Sequence, residues 1–336
     1  MKRTLLTTPA AAWVAVSLAA CRTAPSHPPS FKELLGLTAV KGSQLPAAAK
    51  MKMLQELHQA IQFTPAELRK IQDSGDVRLM AGALAVTDGE NLLAPALLSL
   101  ALSKAPDDPA LLAVLAYRAT FFQQQREMPE SEFLDALDRW RKLEPENSVP
   151  YYLEAAWRVN EKKFGDAARA LAEASRHPKF DSYCAALRLD VVAAGDFADY
   201  PKFTARYLAL TFPGEAPFAN AAWRCLDWQG ANEQVARDCI VLGKRLEAEK
   251  TLLVGELMGL TLQSAAMTRF AQTGSAAELK RVLERAKRIR EIGDRMNALS
   301  ERIPEKRFVA FLDEGLAGSE AAADEKLIAE YGDSSK

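Results

Sequence analysis

Apolar residues recur every three or four positions over most of this chain, the period of a helix with one buried stripe. From Pro46 to Phe63 the stripe is Met51, Leu54, Leu57, His58 and Ile61. Thr64-Pro65-Ala66-Glu67 then predicts a helix start. Thr64 caps, Pro65 has no N–H to leave unpaired, and Glu67 reaches back to the cap. That helix is expected to run to about Asp73, before Ser74-Gly75. The pattern is cleanest from Pro145 to Pro178, where two amphipathic helices flank a turn at Lys162–Asp166. Ala155, Ala167 and Ala174 fall where these helices would cross, and Tyr151, Phe164 and Leu171 fill the space between. Pro106, Pro145, Pro178 and Pro213 recur at spacings of 39, 33 and 35 residues, each just past a helical run.

The neighbouring stretches keep the period with local changes. An insertion near Gln123–Ser131 lengthens one inter-helix loop, and Pro201 opens the second helix of the 182–213 stretch. Phe218 to Leu246 reads as another hairpin, turning at Gln229-Gly230-Ala231-Asn232. Thr251 to Phe270 is apolar enough for burial. Ser275 to Glu278 is a second capping box, opening a long helix to Ile303, and Ala321 to Tyr331 is a final short helix. The stripe Leu279, Val282, Leu283, Ala286, Ile289, Ile292, Met296, Leu299 and Ile303 either packs as a capping helix or forms a dimer seam over 277–303. Gly293 and the small number of heptads favour the capping helix and a monomer. The expected fold is all-α, an α-solenoid of antiparallel helical hairpins. Its segments are N-terminal helices over 31–74, repeats over 75–249 and capping helices over 250–331.

The N-terminus is different in kind. Met1-Lys2-Arg3 is basic, and Leu5 to Ala20 is largely apolar but short for a bilayer span. It ends Leu18-Ala19-Ala20-Cys21, which resembles the lipobox of bacterial lipoproteins. The resemblance implies a signal peptide over 1–20, cleavage after Ala20 and acylation of Cys21, with several acyl chains giving a stable membrane anchor. The Pro/Ser-rich stretch 21–30 then serves as a flexible tether. Family habit reads Asp after the Cys as inner-membrane retention. Arg22 stands there, so the implied location is the bacterial cell envelope, with the outer membrane favoured.

Composition narrows the function classes. Lys and Arg number 43 against 44 Asp and Glu, and loss of Lys2 and Arg3 with the signal leaves 41 against 44. No basic face argues for nucleic acid. None of the HExxH, GxSxG, GxGxxG or Walker A patterns occurs. The three histidines, His27, His58 and His177, lack ligand spacing, so neither a metal nor another cofactor is expected. Cys184, Cys225 and Cys239 read as buried thiols, with a Cys225–Cys239 disulfide as the alternative. Acidic pairs such as Asp107-Asp108 sit in turns and read as caps.

A period near 34 with two helices per unit resembles the tetratricopeptide repeat, whose fold is a right-handed superhelix. Tyr151, Ala155, Phe164, Ala167, Leu171 and Ala174 match its large and small positions. Gly82, Ala94, Leu98 and Ala101 match partly, while Arg78 and Asn91 depart from it. In that family the first helices line a concave groove. The corresponding candidates here are Leu79, Val86, Val149, Tyr152, Ala156 and Asn160. The family's carboxylate clamp is not carried over, since Leu79 and Ala83 stand where it needs Lys and Asn. The resemblance implies a non-catalytic interaction scaffold for a protein or peptide partner. The alternative is an envelope enzyme or carbohydrate-binding lipoprotein on a helical scaffold, which would use Trp140, Trp157, Trp223 or Trp228 to stack sugars.

Overall fold

The computed structural model describes residues 62–87, 91–121, 128–212, 214–249, 252–299 and 302–332. The signal, tether and first helical stripe expected before Gln62, with Cys21, lie outside the described residues. Within them the protein is all-helical, with fifteen α-helices and no strand. These are α1 (Pro65–Ser74), α2 (Val77–Val86), α3 (Ala94–Lys104), α4 (Pro109–Phe121) and α5 (Glu130–Leu143). Next come α6 (Val149–Asn160), α7 (Phe164–Arg176), α8 (Cys184–Phe197), α9 (Lys202–Leu210) and α10 (Ala216–Asp227). The chain ends with α11 (Glu233–Glu249), α12 (Leu253–Arg269), α13 (Ala276–Leu299), α14 (Glu305–Ala317) and α15 (Glu320–Tyr331).

Local chemistry sets the ends of these helices. Thr64 and Glu67 form the expected reciprocal cap, with Glu67 N–H donating to Thr64 Oγ1 at 3.3 Å and Thr64 N–H to Glu67 Oε2 at 2.7 Å. Asp76 and Asp108 cap α2 and α4, each accepting backbone N–H bonds at 2.8 and 3.3 Å. The turn between α6 and α7 is closed by Lys162 at φ 63°. Pro201 stands just before α9, as its ring requires. Buried Arg118 of α4 serves α2 from a distance. Its Nη1 donates to Leu84 O and Thr87 O, both at 2.7 Å, satisfying carbonyls that the end of α2 leaves open.

One continuous apolar core runs from Phe63 to Ile328, so the N-terminal, central and C-terminal segments share it. Consecutive pairs α2–α3, α4–α5, α6–α7, α10–α11 and α11–α12 pack on one another, and first members also pack together: α2 on α4, α4 on α6, α6 on α10, α10 on α12. The crossing residues expected from the sequence, Ala155, Ala167 and Ala174, are fully buried. The pair α8–α9 departs from this succession. α6 and α7 pack directly on α10, while α8 turns to α2 and to α14. α9 also packs on α14, α14 on α15, α15 on α13 and α13 on α12. The packed helices therefore close a circuit, with α8–α9 and α14–α15 bridging its two ends.

Three features differ from, or add to, the sequence reading. α14 lies in a stretch for which no element was expected. Pro304 opens it, and Phe311, Leu312, Gly315 and Leu316 are its buried face. Most of the apolar stripe of α13 is covered within the chain, where Val282, Ala286, Ile289, Ile292 and Leu299 are buried on the helix that packs against α12 and α15, while Leu283 is exposed. Cys184, Cys225 and Cys239 are buried, unpaired thiols.

The close contact of α11 on α12 rests on two glycines. A Cβ at Gly243 would sit 2.6 Å from Gly259 O, and one at Gly259 would sit 2.5 Å from Gly243 O. Gly259→Ala gains about 1 kcal/mol of helix propensity, yet it overpacks this contact at a cost of about 1–3 kcal/mol. Chemical denaturation should show a net loss of stability. A stabilised variant would mean that the helices are further apart than described.

Candidate functional site

Most of the six groove candidates are core residues. Val86, Val149, Tyr152 and Ala156 are buried, Leu79 is half-buried, and Asn160 is exposed. Tyr152 accepts a hydrogen bond from Arg245 Nη1 at 2.8 Å, and its ring lies among Phe180 and Phe218. Burial pushes the Tyr152 hydroxyl up to about 12. Asn160 Nδ2 donates to Thr120 O at 3.0 Å, tying α6 to α4. In this conformation the first helices spend these side chains on packing, and only Asn160 presents a polar group to solvent.

Helices α4, α8, α10 and α11 meet at a buried polar hub centred on Arg188 of α8. Arg188 is 1% exposed and Glu215, at the start of α10, is 2% exposed. The guanidinium grips the carboxylate with two bonds, Nη2 to Oε2 at 2.9 Å and Nη1 to Oε1 at 3.3 Å. Burial opposes the Arg188 charge, and Glu215 more than offsets it, so the group is held protonated. Gly214 (φ 48°) lets the backbone pass, since a Cβ there would lie 2.4 Å from Arg188 Nη2.

Other elements supply a second ring of polar groups. Ser182 Oγ donates to Glu249 Oε1 at 2.7 Å, and Tyr117 of α4 donates to Ser182 O at 2.8 Å. The Tyr117 hydroxyl also lies 3.1 Å from Cys184 Sγ. Glu320 of α15 accepts the Leu253 N–H at 2.6 Å, capping α12 from outside. Burial, and then the neighbouring Glu215 charge, push the Glu249 carboxyl up to about 7. Burial likewise raises Glu320, Cys184 and Tyr117. The surroundings are aromatic, with Tyr117 against Phe212 and Phe218 at 5.3 and 5.7 Å between ring centres. One cation thus faces several carboxyl groups in a dry setting, an arrangement that holds elements in register and stores protons.

Sequence reasoning passed over this hub because its parts are scattered. Arg188 sits in an apolar helical run, and Glu215 and Glu249 sit at helix ends where solvated charge is the ordinary explanation. The one available signal was an Arg on the buried stripe of a helix. The tryptophans divide differently from the sugar-stacking expectation. Trp140 and Trp157 are buried, Trp228 is half-buried against Gly230 and stacked on Phe164, and Trp223 is exposed at 38%. Among the described residues, no group of three or more His, Cys, Asp or Glu is placed to hold a metal ion. No helix among them is long and apolar enough to cross a membrane. Compared with protein-family models, curated proteins and solved structures, the chain matches none.

Two outcomes follow from the hub. Removing one partner of a buried pair strands the other, so Arg188→Met should cost about 3–5 kcal/mol, and Arg188→Met with Glu215→Leu should recover most of it. Denaturant titrations of the two variants check this, and equal losses in both would contradict a pair that acts as a unit. The second outcome concerns pH. Glu249 holds its proton to about 7 in the fold, against an ordinary 4.5. The folded state therefore binds the extra proton, and stability falls as pH rises through that window. Asp190, raised to about 6 by burial, and Asp324, raised to about 8 by burial and Glu320, add the same sign. Glu130, Glu144 and Glu247 are lowered, so their contribution is lost only in stronger acid. Tm should fall between pH 5 and 8, and Glu249→Gln should remove about 3 kcal/mol of that dependence. A Tm that rises across the range would contradict it.

Proposed function

We propose that this protein is a lipid-anchored, non-catalytic docking scaffold of the bacterial cell envelope. Cys21 carries the lipid and the tether over 21–30 holds the helical body off the membrane, on the periplasmic face of the outer membrane. The body is an array of antiparallel hairpins of tetratricopeptide type, α2–α3, α4–α5, α6–α7, α10–α11 and α12–α13, and the protein is a monomer. Its partner is a protein or peptide that meets the middle of the array around Asn160, at the C-terminal end of α6. The observation that carries this reading is the succession of first helices, α2 on α4 on α6 on α10 on α12, with small residues buried at the crossings. Repeat arrays of this kind offer extended surfaces for partners and build them from nearest-neighbour contacts. Buried Trp140 and Trp157 leave the sugar-binding alternative without a row of exposed rings.

The anchor and the docking role are tested separately. Cys21→Ser should abolish fatty-acid labelling and release the protein from membranes. Continued labelling and sedimentation with membranes would overturn the anchor. Crosslinking and affinity capture in native envelopes should recover one defined protein partner. Asn160→Arg, on the exposed groove candidate, should reduce that capture at least fivefold, while Asn160→Ala, which loses the same bond to Thr120 O, gives the matched control for stability. An undiminished yield would remove this face from the docking role.

A further inference from the structure

The α8–α9 pair is the part of the fold that the hairpin succession bypasses. Three observations set it apart. First, its ends are backbone positions of unusual conformation: Tyr183 has φ 58° and Gly214 φ 48°, one where the chain leaves the α6–α7 pair and one where it returns to α10. Tyr183 is a non-glycine residue in the left-handed region, a conformation that costs about 1–3 kcal/mol and persists only where the surroundings enforce it. Here the enforcing contact is Tyr183 OH donating to Glu144 Oε1 at 2.7 Å.

Second, α8 docks by a notch and a charge. Its backbone sits in a furrow on α2, where a Cβ at Gly82 would lie 2.1 Å from Asp190 O. Its Arg188 plugs into Glu215. A buried ion pair stabilises no better than apolar packing of the same volume, but it selects one docked position and rejects others. Third, α8 carries apolar residues on its outer side as well. Leu189 and Phe197 are among the few exposed large apolar side chains of the described residues. The helix therefore keeps apolar side chains on its solvent side as well as in its seat.

We propose that α8–α9 is a detachable clasp, which swings out as a unit about Tyr183 and Gly214 while the remaining hairpins stay packed. The seat it leaves is the Gly82 furrow on α2 beside the Glu215 carboxylate. Such a seat fits a helix that brings a basic side chain, the chemistry α8 itself displays, which rests on the reading of the chain as a docking scaffold. Opening of this kind is a sub-global event, with a free energy below that of complete unfolding.

The buried cysteines report it directly. Cys184 lies in the first turn of α8, while Cys225 and Cys239 lie in α10 and α11, within the hairpins that stay packed. The full-length protein is treated with a small alkylating reagent under native conditions, and each thiol is followed by peptide mass. Cys184 should react at least tenfold faster than Cys225 and Cys239. Gly82→Ala, which crowds the furrow, should raise the Cys184 rate at least another tenfold and leave the other two unchanged. One common rate for all three thiols, in the wild-type and in the variant, would overturn the clasp, whether or not any partner is ever captured.

A second arm tests the seat. A synthetic peptide of residues 184–210 with Cys184→Ser should compete for the furrow and accelerate Cys184 labelling saturably. The same peptide with Arg188→Glu should not. No acceleration by the first peptide, or equal acceleration by both, would overturn the assignment of the seat to a basic helix.

Discussion

A guanidinium taken out of water must be met by a carboxylate in the right plane, and that constraint governs the centre of this fold. Arg188 and Glu215 are both almost fully buried, and they come from elements 27 residues apart. To bring them together, α8 has to pack on α2 and α14, Gly214 has to take a left-handed conformation, and α10 has to begin just after Glu215. Glu249, Ser182 and Tyr117 then close around the pair, while Glu320 reaches in from α15 to the start of α12. Each of these is a polar group whose burial is tolerable because another polar group meets it. The hub therefore ties α4, α8, α10, α11, α12 and α15 to one geometry, which apolar packing alone would leave freer to slide.

Much of the helical organisation is legible in the sequence, because it depends on local rules. The Thr64–Glu67 cap, the turn after α10 and the proline before α9 all follow from residues within one turn of the feature. Ala155, Ala167 and Ala174 announce a close crossing by their size. The arrangement of the helices is another matter. Proline spacing makes 182–213 look like a fourth member of a series, since a helical hairpin has the same period wherever it packs. Nothing near Gly82 says that its partner is the backbone of Asp190, more than a hundred residues on. α14 escaped notice because it falls between two stronger patterns.

The groove candidates show the same limit from another side. Val149, Tyr152 and Ala156 occupy positions that can face a partner or a neighbouring helix, and the sequence is alike in both cases. In the fold they face neighbours, and the Tyr152 hydroxyl is held by Arg245, which also donates to Ala174 O. Closure of the helix circuit by α8–α9 and α14–α15 is what distinguishes this body from an open array. It converts a surface that would be free in an array into an interior, and it places the binding question on the clasp that covers it.

That closure is most directly tested at the contact where the N-terminal end meets the clasp. Lys70 Nζ of α1 lies 2.6 Å from Asp199 Oδ2, in the turn between α8 and α9. Zero-length carbodiimide crosslinking of the full-length protein, read by peptide mass, should join Lys70 to Asp199 as a major product. Crosslinks from Lys70 confined to Glu67, Asp73 and Asp76, with none to Asp199, would mean that the circuit is open where α8–α9 meets the N-terminal end.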